Sequence, residues 1–494
     1  MNQDKSSVKH VLFNSGVYAF TSVLQKAVSF ILLPVYTLYL TPNDYGIVGI
    51  VNSLTILLTQ AYTLSLNASV QRYYYKYKTD KFKLKTFNST IIVFVLCNSV
   101  ILSIVLVLFR NFIITPFVDG IEFYPYIFMG ILTVIFNPIY TIYQSLLQTM
   151  QKAKEYGLNS LMHFVLTVFL NILFIVFFKL GATGQLLSYL ITAIIFGAFS
   201  LFSLYKREII DFDFDYKYLK EALKYSIPLL PHQMSTSIAS FISRIFLNNL
   251  VSTGSAGLFN IASQLMLVVD TIQISLNNAY VPWFYNEMSQ DPRNESAIIK
   301  LSDLMSRVYL IISIGLSYFI KEIIYLFLPA SYLQAWQLIP IIVIAYQFKS
   351  IYLFYVNTLF YNTSATRYIF TASVTGSLVN ILVTSMLTST LGLFTPAIAI
   401  LIQWVVTSII VILLSRSIEP VNFKLNKMLL YVIILVIAIF LGQHRDFVDP
   451  LDVISIYHVL YKLLLFLIIA FIIFYRDLPY VWSEVVKIWE KIKN

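Results

Sequence analysis

Apolar runs of about 20 residues recur from one end of this chain to the other, each long enough to cross a bilayer core of about 30 Å. We place spans at 11–38, 45–67, 87–109, 124–147, 157–178, 184–204, 223–248, 256–280, 303–320, 334–356, 368–389, 393–414, 428–442 and 456–475. The ninth can continue past Lys321-Glu322, and the thirteenth is short. Of the 494 residues 58% are hydrophobic and 12% charged, against roughly 25% charged in a soluble domain. The mean hydropathy is +0.77, and 35 tyrosines offer material for interfacial belts. The expected fold class is an all-α polytopic membrane protein with about 14 transmembrane helices. A transporter and a membrane-embedded transferase are the two functional classes left open.

The loops give an independent reading of topology. With the N-terminus inside, the cytoplasmic segments collect 26 of the 34 Lys and Arg, and the external segments 4, namely Arg110, Lys179, Lys321 and Arg445. That asymmetry follows the positive-inside rule and puts both termini in the cytoplasm. The net charge of +10 then serves topology and anionic lipid, so nucleic acid is excluded as a partner. The run from Val11 to Leu40 is too long for a signal peptide and reads as a span. Cys97, alone of its type, reads as a small hydrophobe in an apolar run.

Sliding the chain against itself exposes a repeat at an offset of 211 residues. Leu66 to Tyr74 lies over Asn277 to Tyr285, with Asn67, Ala68, Val70 and Tyr74 on Asn278, Ala279, Val281 and Tyr285. Gly46 falls on Gly257, Leu180-Gly181 on Leu391-Gly392, and Glu208 on Glu419. Six spans per repeat restore the starting side, so the halves are parallel repeats about an axis along the membrane normal. The expected division is 1–210, 211–421, and an addition of two helices and a tail at 422–494.

Three segments carry a family resemblance. Leu33-Pro34-Val35-Tyr36-Thr37-Leu38-Tyr39-Leu40-Thr41-Pro42-Asn43-Asp44-Tyr45-Gly46 resembles the first-span exit of bacterial polysaccharide flippases of the O-antigen and capsule type. Leu223-Lys224-Tyr225-Ser226-Ile227-Pro228-Leu229-Leu230-Pro231 is similar to that family's second-half signature. Asn67 to Tyr75, a polar bend followed by Arg and aromatics, is similar to its end-of-second-span pattern. The superfamily, of multidrug, oligosaccharidyl-lipid and polysaccharide exporters, also holds drug exporters and the peptidoglycan-precursor flippase. The exporters usually have twelve spans, which the last two helices here exceed. The first span offers Lys26 and no Arg, unlike the peptidoglycan-precursor flippase. The resemblance implies alternating-access movement of an undecaprenyl-pyrophosphate-linked oligosaccharide across the bacterial cytoplasmic membrane. It further implies a tail left among membrane lipid near the last two spans, contact with polysaccharide polymerase machinery, no cofactor and no covalent chemistry.

Charges inside spans point to the same place. A Lys, Arg or Asp at a span centre costs about 2.5–3.5 kcal/mol on insertion scales and calls for a cavity or a partner. Tyr18, Ser22, Lys26 and Ser29 share one face of the first helix, and His232, Thr236, Ser240 and Arg244 one face of the seventh. Asn52, Thr59, Thr63 and Asn67 line the second helix; the eighth carries Asn260, Gln264, Asp270, Thr271, Asn277 and Asn278. In the resembled family these four helices line the central cavity. Lys26, Arg244 and Lys349 are the expected contacts for pyrophosphate, with Asn52, Asn67, Gln264 and Asn278 as polar lining. Asp270 and His232 are the candidates for coupling a proton or sodium ion. The structural alternatives are snorkelling of Arg244, pairing of Lys26 with Asp270, and interhelical hydrogen bonding along the Ser, Thr and Asn stripes. His163, in the fifth span, reads as a satisfied polar group.

Other signals carry less. Asp213-Phe214-Asp215 spells a glycosyltransferase-like acidic pair, but it stands in a linker of about 18 residues with no domain around it. No Gly-rich phosphate loop, metal-ligand spacing or nucleophile–base arrangement is legible. An oligosaccharide polymerase would need a large external loop, and the longest between firm spans runs only from Gln443 to Ser455. A multidrug antiporter would favour an acidic cavity, where Asp270 stands alone.

Overall fold

The computed structural model describes residues 2–211, 213–362, 365–448 and 455–475. Among them fourteen helices have 19 residues or more, and no strand is present. We label them α1 (Asn2–Tyr39), α2 (Pro42–Thr63), α3 (Lys81–Leu108), α4 (Phe128–Thr149), α5 (Ala153–Asn171), α6 (Gly181–Lys206) and α7 (Leu230–Leu250). The rest are α8 (Thr253–Met288), α9 (Glu295–Phe327), α10 (Ile339–Tyr361), α11 (Thr366–Leu391), α12 (Thr395–Ile418), α13 (Leu425–Val448) and α14 (Ile456–Phe474). Among the described residues eleven stretches are apolar enough, and long enough, to cross a membrane, one of them (Tyr368–Ile418) running through most of α11 and all of α12. The protein is an all-α, multi-pass membrane protein.

Helix ends follow local chemistry. Thr41 caps α2 with Pro42 in the first turn; its amide donates to Asp44 Oδ2 (2.8 Å), while the Asp44 amide donates to its hydroxyl (3.2 Å). Asp44 Oδ1 also accepts from the Ala182 amide (3.1 Å), tying the start of α6 to the start of α2. Gly181 and Gly392, equivalent in the repeat, both take positive φ (57° and 52°), where a side chain would be strained.

Several expected boundaries change, two of them in the make-up of the candidate lining and of the last loop. The second span breaks at Leu64 and Ser65, both left-handed, so Asn67 belongs to a separate short helix, Leu66–Tyr77. The thirteenth does not stop at 442 but continues to Val448, because Gln443 bonds Ser317 and Asp446 bonds Lys321, both on α9. The loop beginning at Gln443 is correspondingly shorter, and residues 449–454 lie outside those described. The ninth span does pass Lys321-Glu322.

The chain divides into two compact units, Met1–Thr271 with Arg367–Thr407, and Ile272–Thr366 with Ser408–Asn494. In the first, α2 and α8 cross at glycines. A Cβ on Gly46 would lie 2.0 Å from the Thr253 carbonyl oxygen, and one on Gly257 1.9 Å from that of Pro42. At one end of the unit, Leu66–Tyr77 and the short helix Tyr216–Ser226 close over α3, α4 and α6. Leu66, Val70, Phe87, Ile91, Tyr143 and Ala222 form that core. Glu221 accepts there from Lys76 and from the Tyr77 hydroxyl (2.6 Å). Asp215 caps the Tyr216–Ser226 helix through the Lys217 amide (2.8 Å), which gives the linker aspartate a structural task.

The second unit packs aromatics, Tyr280, Phe284, Phe354 and Phe423 among them. It also holds buried charges where α9, α13 and α14 meet. Lys462 lies 2.6 Å from both Glu322 and Asp446, and Lys321 lies 3.1 Å from Asp446. Among the described residues of α14, Lys462 alone is buried.

Candidate functional site

The polar stripes read from the sequence form continuous helix faces in the first unit. On α7, His232, Thr236 and Ser240 are exposed and Arg244 half-buried, whereas Ser235, Ala239 and Ser243 on the adjoining strip, three residues along, are buried. The polar stripe therefore runs along the edge of the packed face. A stripe of His, Thr, Ser and Arg turned into hydrocarbon would be costly, which favours a wetted surface. His232 Nδ1 is 2.7 Å from the Ser373 hydroxyl on α11. Arg244 Nη1 donates to the Ser240 hydroxyl (2.5 Å) and carbonyl (3.0 Å), and its guanidinium stands 5.2 Å from the centroid of Phe259 on α8. Its Nε is buried and donates to no atom among the described residues.

Lys26 on α1 is exposed, and its Nζ donates to the Thr271 hydroxyl on α8 at 2.9 Å. The side chains of Tyr18 and Ser22 lie outside the described residues, and Ser29 is exposed. Asp270 is half-buried immediately before Thr271. Arg244 and Lys26 thus both reach α8, at Phe259 and at Thr271, twelve residues apart. That is about 18 Å along a helix rising 1.5 Å per residue. The two cations stand at different heights.

The remaining lining residues are placed as follows. Asn52 is half-buried on α2, and Gln264 is half-buried on α8. Asn260 packs on Gly49 and donates to the Tyr45 carbonyl at 3.3 Å, an interhelical role. Asn67 follows the break after α2 and is half-buried. In the second unit, Asn278 is exposed, Asn277 accepts from Asn357 (2.9 Å), and Lys349 is half-buried with Nζ 5.2 Å from the Tyr346 ring. His163 stacks on Tyr140 at 4.6 Å and meets the edge of Phe196, a packed position within the first unit.

Outside the spans, burial pushes the Glu221 carboxyl up, but the bonds from Lys76 and Tyr77 outweigh it and leave the group below the usual glutamate range. No group of His, Cys, Asp and Glu suited to a metal ion occurs among the described residues.

Sequence reasoning missed one cluster. Lys462 lies inside the fourteenth span, which is its signal, but its partner Glu322 follows the ninth span as placed from the sequence and Asp446 falls in the loop from Gln443 to Ser455.

Comparison with known proteins supplies the family and the fold. The family described as polysaccharide biosynthesis protein matches residues 11–288, more than half of the chain. Protein 1 of the Lsg locus of Haemophilus influenzae is 24% identical over 285 residues, covering 57% of this chain and 67% of that protein. The lipid II flippase MurJ, in an inward closed conformation, superposes with a TM-score of 0.71 at 17% identity, over 95% of this chain and 100% of its own. An inward-facing multidrug transporter of the MATE family, in the MOP superfamily, gives 0.62 at 16% identity, over 78% of this chain and 92% of its own. At such identities these two structures establish the fold. The matched segment takes in α1 to α8, with the glycine crossing and the stripes on α1, α2 and α7, and by it the chain belongs to the polysaccharide biosynthesis protein family.

Proposed function

We propose that the protein is a flippase carrying undecaprenyl-pyrophosphate-linked oligosaccharide across the cytoplasmic membrane by alternating access, in the making of cell-surface polysaccharide of the O-antigen or capsule type. The observation that carries this reading is the pair of cations on α1 and α7. Lys26 and Arg244 stand on polar faces, each beside α8, about 18 Å apart along it. Two positive stations at different heights suit a pyrophosphate handed from one to the next, with Arg244 able to engage two phosphate oxygens and Lys26 acting as a point charge. Lys349, Asn52, Asn67, Gln264 and Asn278 complete the proposed lining, and Asp270 and His232 are the proposed sites for a coupling proton or sodium ion.

In this reading the repeats 1–210 and 211–421 move against each other, and 422–494 is an addition near which the polyprenyl tail stays in lipid. Both termini are cytoplasmic, as the distribution of Lys and Arg supports. The protein performs no covalent chemistry and meets the polymerase machinery at the outer face.

The test is a proteoliposome assay with purified protein and a fluorescent undecaprenyl-pyrophosphate-linked oligosaccharide, external glycosidase reporting its movement between leaflets. Protein-dependent movement that vanishes in a Lys26→Ala/Arg244→Ala double variant is expected. No movement with several glycans, with and without ion gradients, would overturn the flippase reading and favour a multidrug antiporter.

A further inference from the structure

The buried charges of the second unit have no part in the proposed lining. Lys462, with 0% exposure, is shared at 2.6 Å between Glu322 Oε1 on α9 and Asp446 Oδ2 on α13. Asp446 also accepts from Lys321 (3.1 Å), whose ammonium stands 5.7 Å from the Trp336 ring. His458 Nε2 is 3.4 Å from Asp446 Oδ2, and its ring stacks on Tyr461. Among the described residues the titratable and charged groups around Glu322 are Tyr318 and Lys321 on α9, Asp446 on α13, and His458, Tyr461 and Lys462 on α14. Tyr325, His444 and Arg445 on the same helices are exposed.

With His458 neutral, the described residues of the cluster carry two positive and two negative charges. A set of ion pairs that did no more than hold three helices together would use both oxygens of each carboxylate. This one does not. Glu322 is 7% exposed, and its Oε2 is buried without a hydrogen-bond partner. An ionised carboxylate has acceptor capacity on both oxygens, and leaving one oxygen dry and unbonded is costly. A proton on the carboxyl removes the charge that makes it so.

We infer that this cluster is a proton-binding site, with the Glu322 carboxyl as acceptor and His458 as the group through which the proton arrives. The His458 side chain is 11% exposed, about as much as that of Glu322 at 10%, and its Nε2 stands beside Asp446. A proton taken at His458 Nε2 passes to Asp446 Oδ2. Lys462 gives one proton to Glu322 and regains one from Asp446, so the sum is one proton added to Glu322 and no other group changed. The neutral carboxyl then holds the Lys462 ammonium weakly, while Asp446 keeps it. Binding a proton thus loosens α14 from α9 and leaves it tied to α13. Phe466 against Gly315 and Phe319, and Arg307 on the Ile473 carbonyl, also hold α14 to α9, so the proton releases one tie among several. The site rests on the geometry of the second unit; its use in driving translocation rests on the flippase reading.

Infrared difference spectra of the purified full-length protein, recorded between mildly alkaline and mildly acidic buffer, test the site without any substrate. The expected result is a buried carboxylic-acid carbonyl band that appears on acidification and is lost in Glu322→Gln, an isosteric change that keeps an oxygen for Lys462. Should that variant insert poorly, Glu322→Gln/Lys462→Met removes one charge of each sign and serves the same end. A spectrum with no such band, or with a band unchanged in both variants, would overturn the inference and leave a fixed ionic pin. The proteoliposome assay then separates the two readings: absence of translocation with the band intact counts against the flippase and not against the proton site.

Discussion

Gly46 and Gly257 stand in a reciprocal contact. Gly46 is pressed against the backbone of Thr253, and Gly257 against the backbone of Pro42. Thr253 is to Pro42 in the repeat what Gly257 is to Gly46, so each glycine meets the equivalent of the residue that its counterpart meets. A self-complementary contact of this kind is the signature of a two-fold interface between identical subunits. Asn260 obeys the same rule, being the counterpart of Gly49 and packing on it. Here the interface is built within one chain.

Alanine at either glycine should damage the crossing. The added methyl would fall about 2 Å from a carbonyl oxygen, and backbone must move to admit it. Overpacking of this sort costs about 1–3 kcal/mol, and more where no flexible side chain can yield. Gly46→Ala and Gly257→Ala should lower the melting temperature in detergent by similar amounts. The double variant should cost less than the two added together, since the first substitution already opens the joint that the second would strain. Independent, fully additive losses in thermal melts would contradict the shared joint.

Removing Lys462 leaves two buried carboxylates facing each other. Breaking a buried ion pair from one side costs about 3–5 kcal/mol, so Lys462→Met should sharply reduce thermal stability. Adding Glu322→Gln restores the balance of charge and should recover much of the loss. The comparison of melting temperatures among single and double variants checks this, and a Lys462→Met protein as stable as the parent would remove the cluster from the account of how α14 is held.

Lys26→Ala and Arg244→Ala should each slow translocation by about ten- to a hundredfold, the worth of a hydrogen bond to a charged group of about 1.5–3 kcal/mol. Membrane insertion should be intact in both, because neither side chain is part of the buried core. Arg244→Lys should recover only part of the rate, as it loses the planar fork held against Phe259 and Ser240. Cys97 is exposed on α3, and Cys97→Ala should change nothing. Rates from the glycosidase-protection assay decide each case.

The cap over α3, α4 and α6 should weaken in acid. The folded Glu221 carboxyl titrates below its ordinary value of 4.5, held down by Lys76 and Tyr77 against the effect of burial. A depressed carboxylate contributes stability that is present above the unfolded value and lost as pH falls through the folded one. Stability should therefore drop as pH falls below about 4.5, and Glu221→Gln should be less stable at neutral pH but flatter in acid. The contribution is modest, since Lys76 is largely exposed. Melting temperatures over an acid series, parent against variant, provide the check.

Much of the fold could be read directly from the order of residues, because a span needs only a run of apolar side chains. The second helix was read too long, since Leu64 and Ser65 are unremarkable by composition and their left-handed turn is a matter of tertiary packing. Lys26, Arg244 and His232 were visible as polar residues in apolar surroundings, yet their partners Thr271, Phe259 and Ser373 could not be chosen from a list of equally plausible neighbours. The ionic cluster shows the limit most plainly. Lys462 and Glu322 are 140 positions apart, and Lys321 and Asp446 are 125. A charge near the end of a span looks the same in sequence whether it faces water or another helix.

The stitching of one loop carries a last consequence. Asn249 Nδ2 donates to the Phe117 carbonyl (2.8 Å) and its oxygen accepts from the Asp119 amide (3.1 Å), while Asn248 donates to the Asp119 carbonyl (2.6 Å). With the glycine crossing, these bonds join residues before the linker at 207–215 to residues after it without using the linker at all. The linker is itself packed, with Ile210 buried and Asp211 bonded to Ser89, and its continuity adds to this joint by setting the local concentration of one half around the other. A gene split inside it should yield two polypeptides that find each other in the bilayer, a heterodimer in place of a duplicated chain.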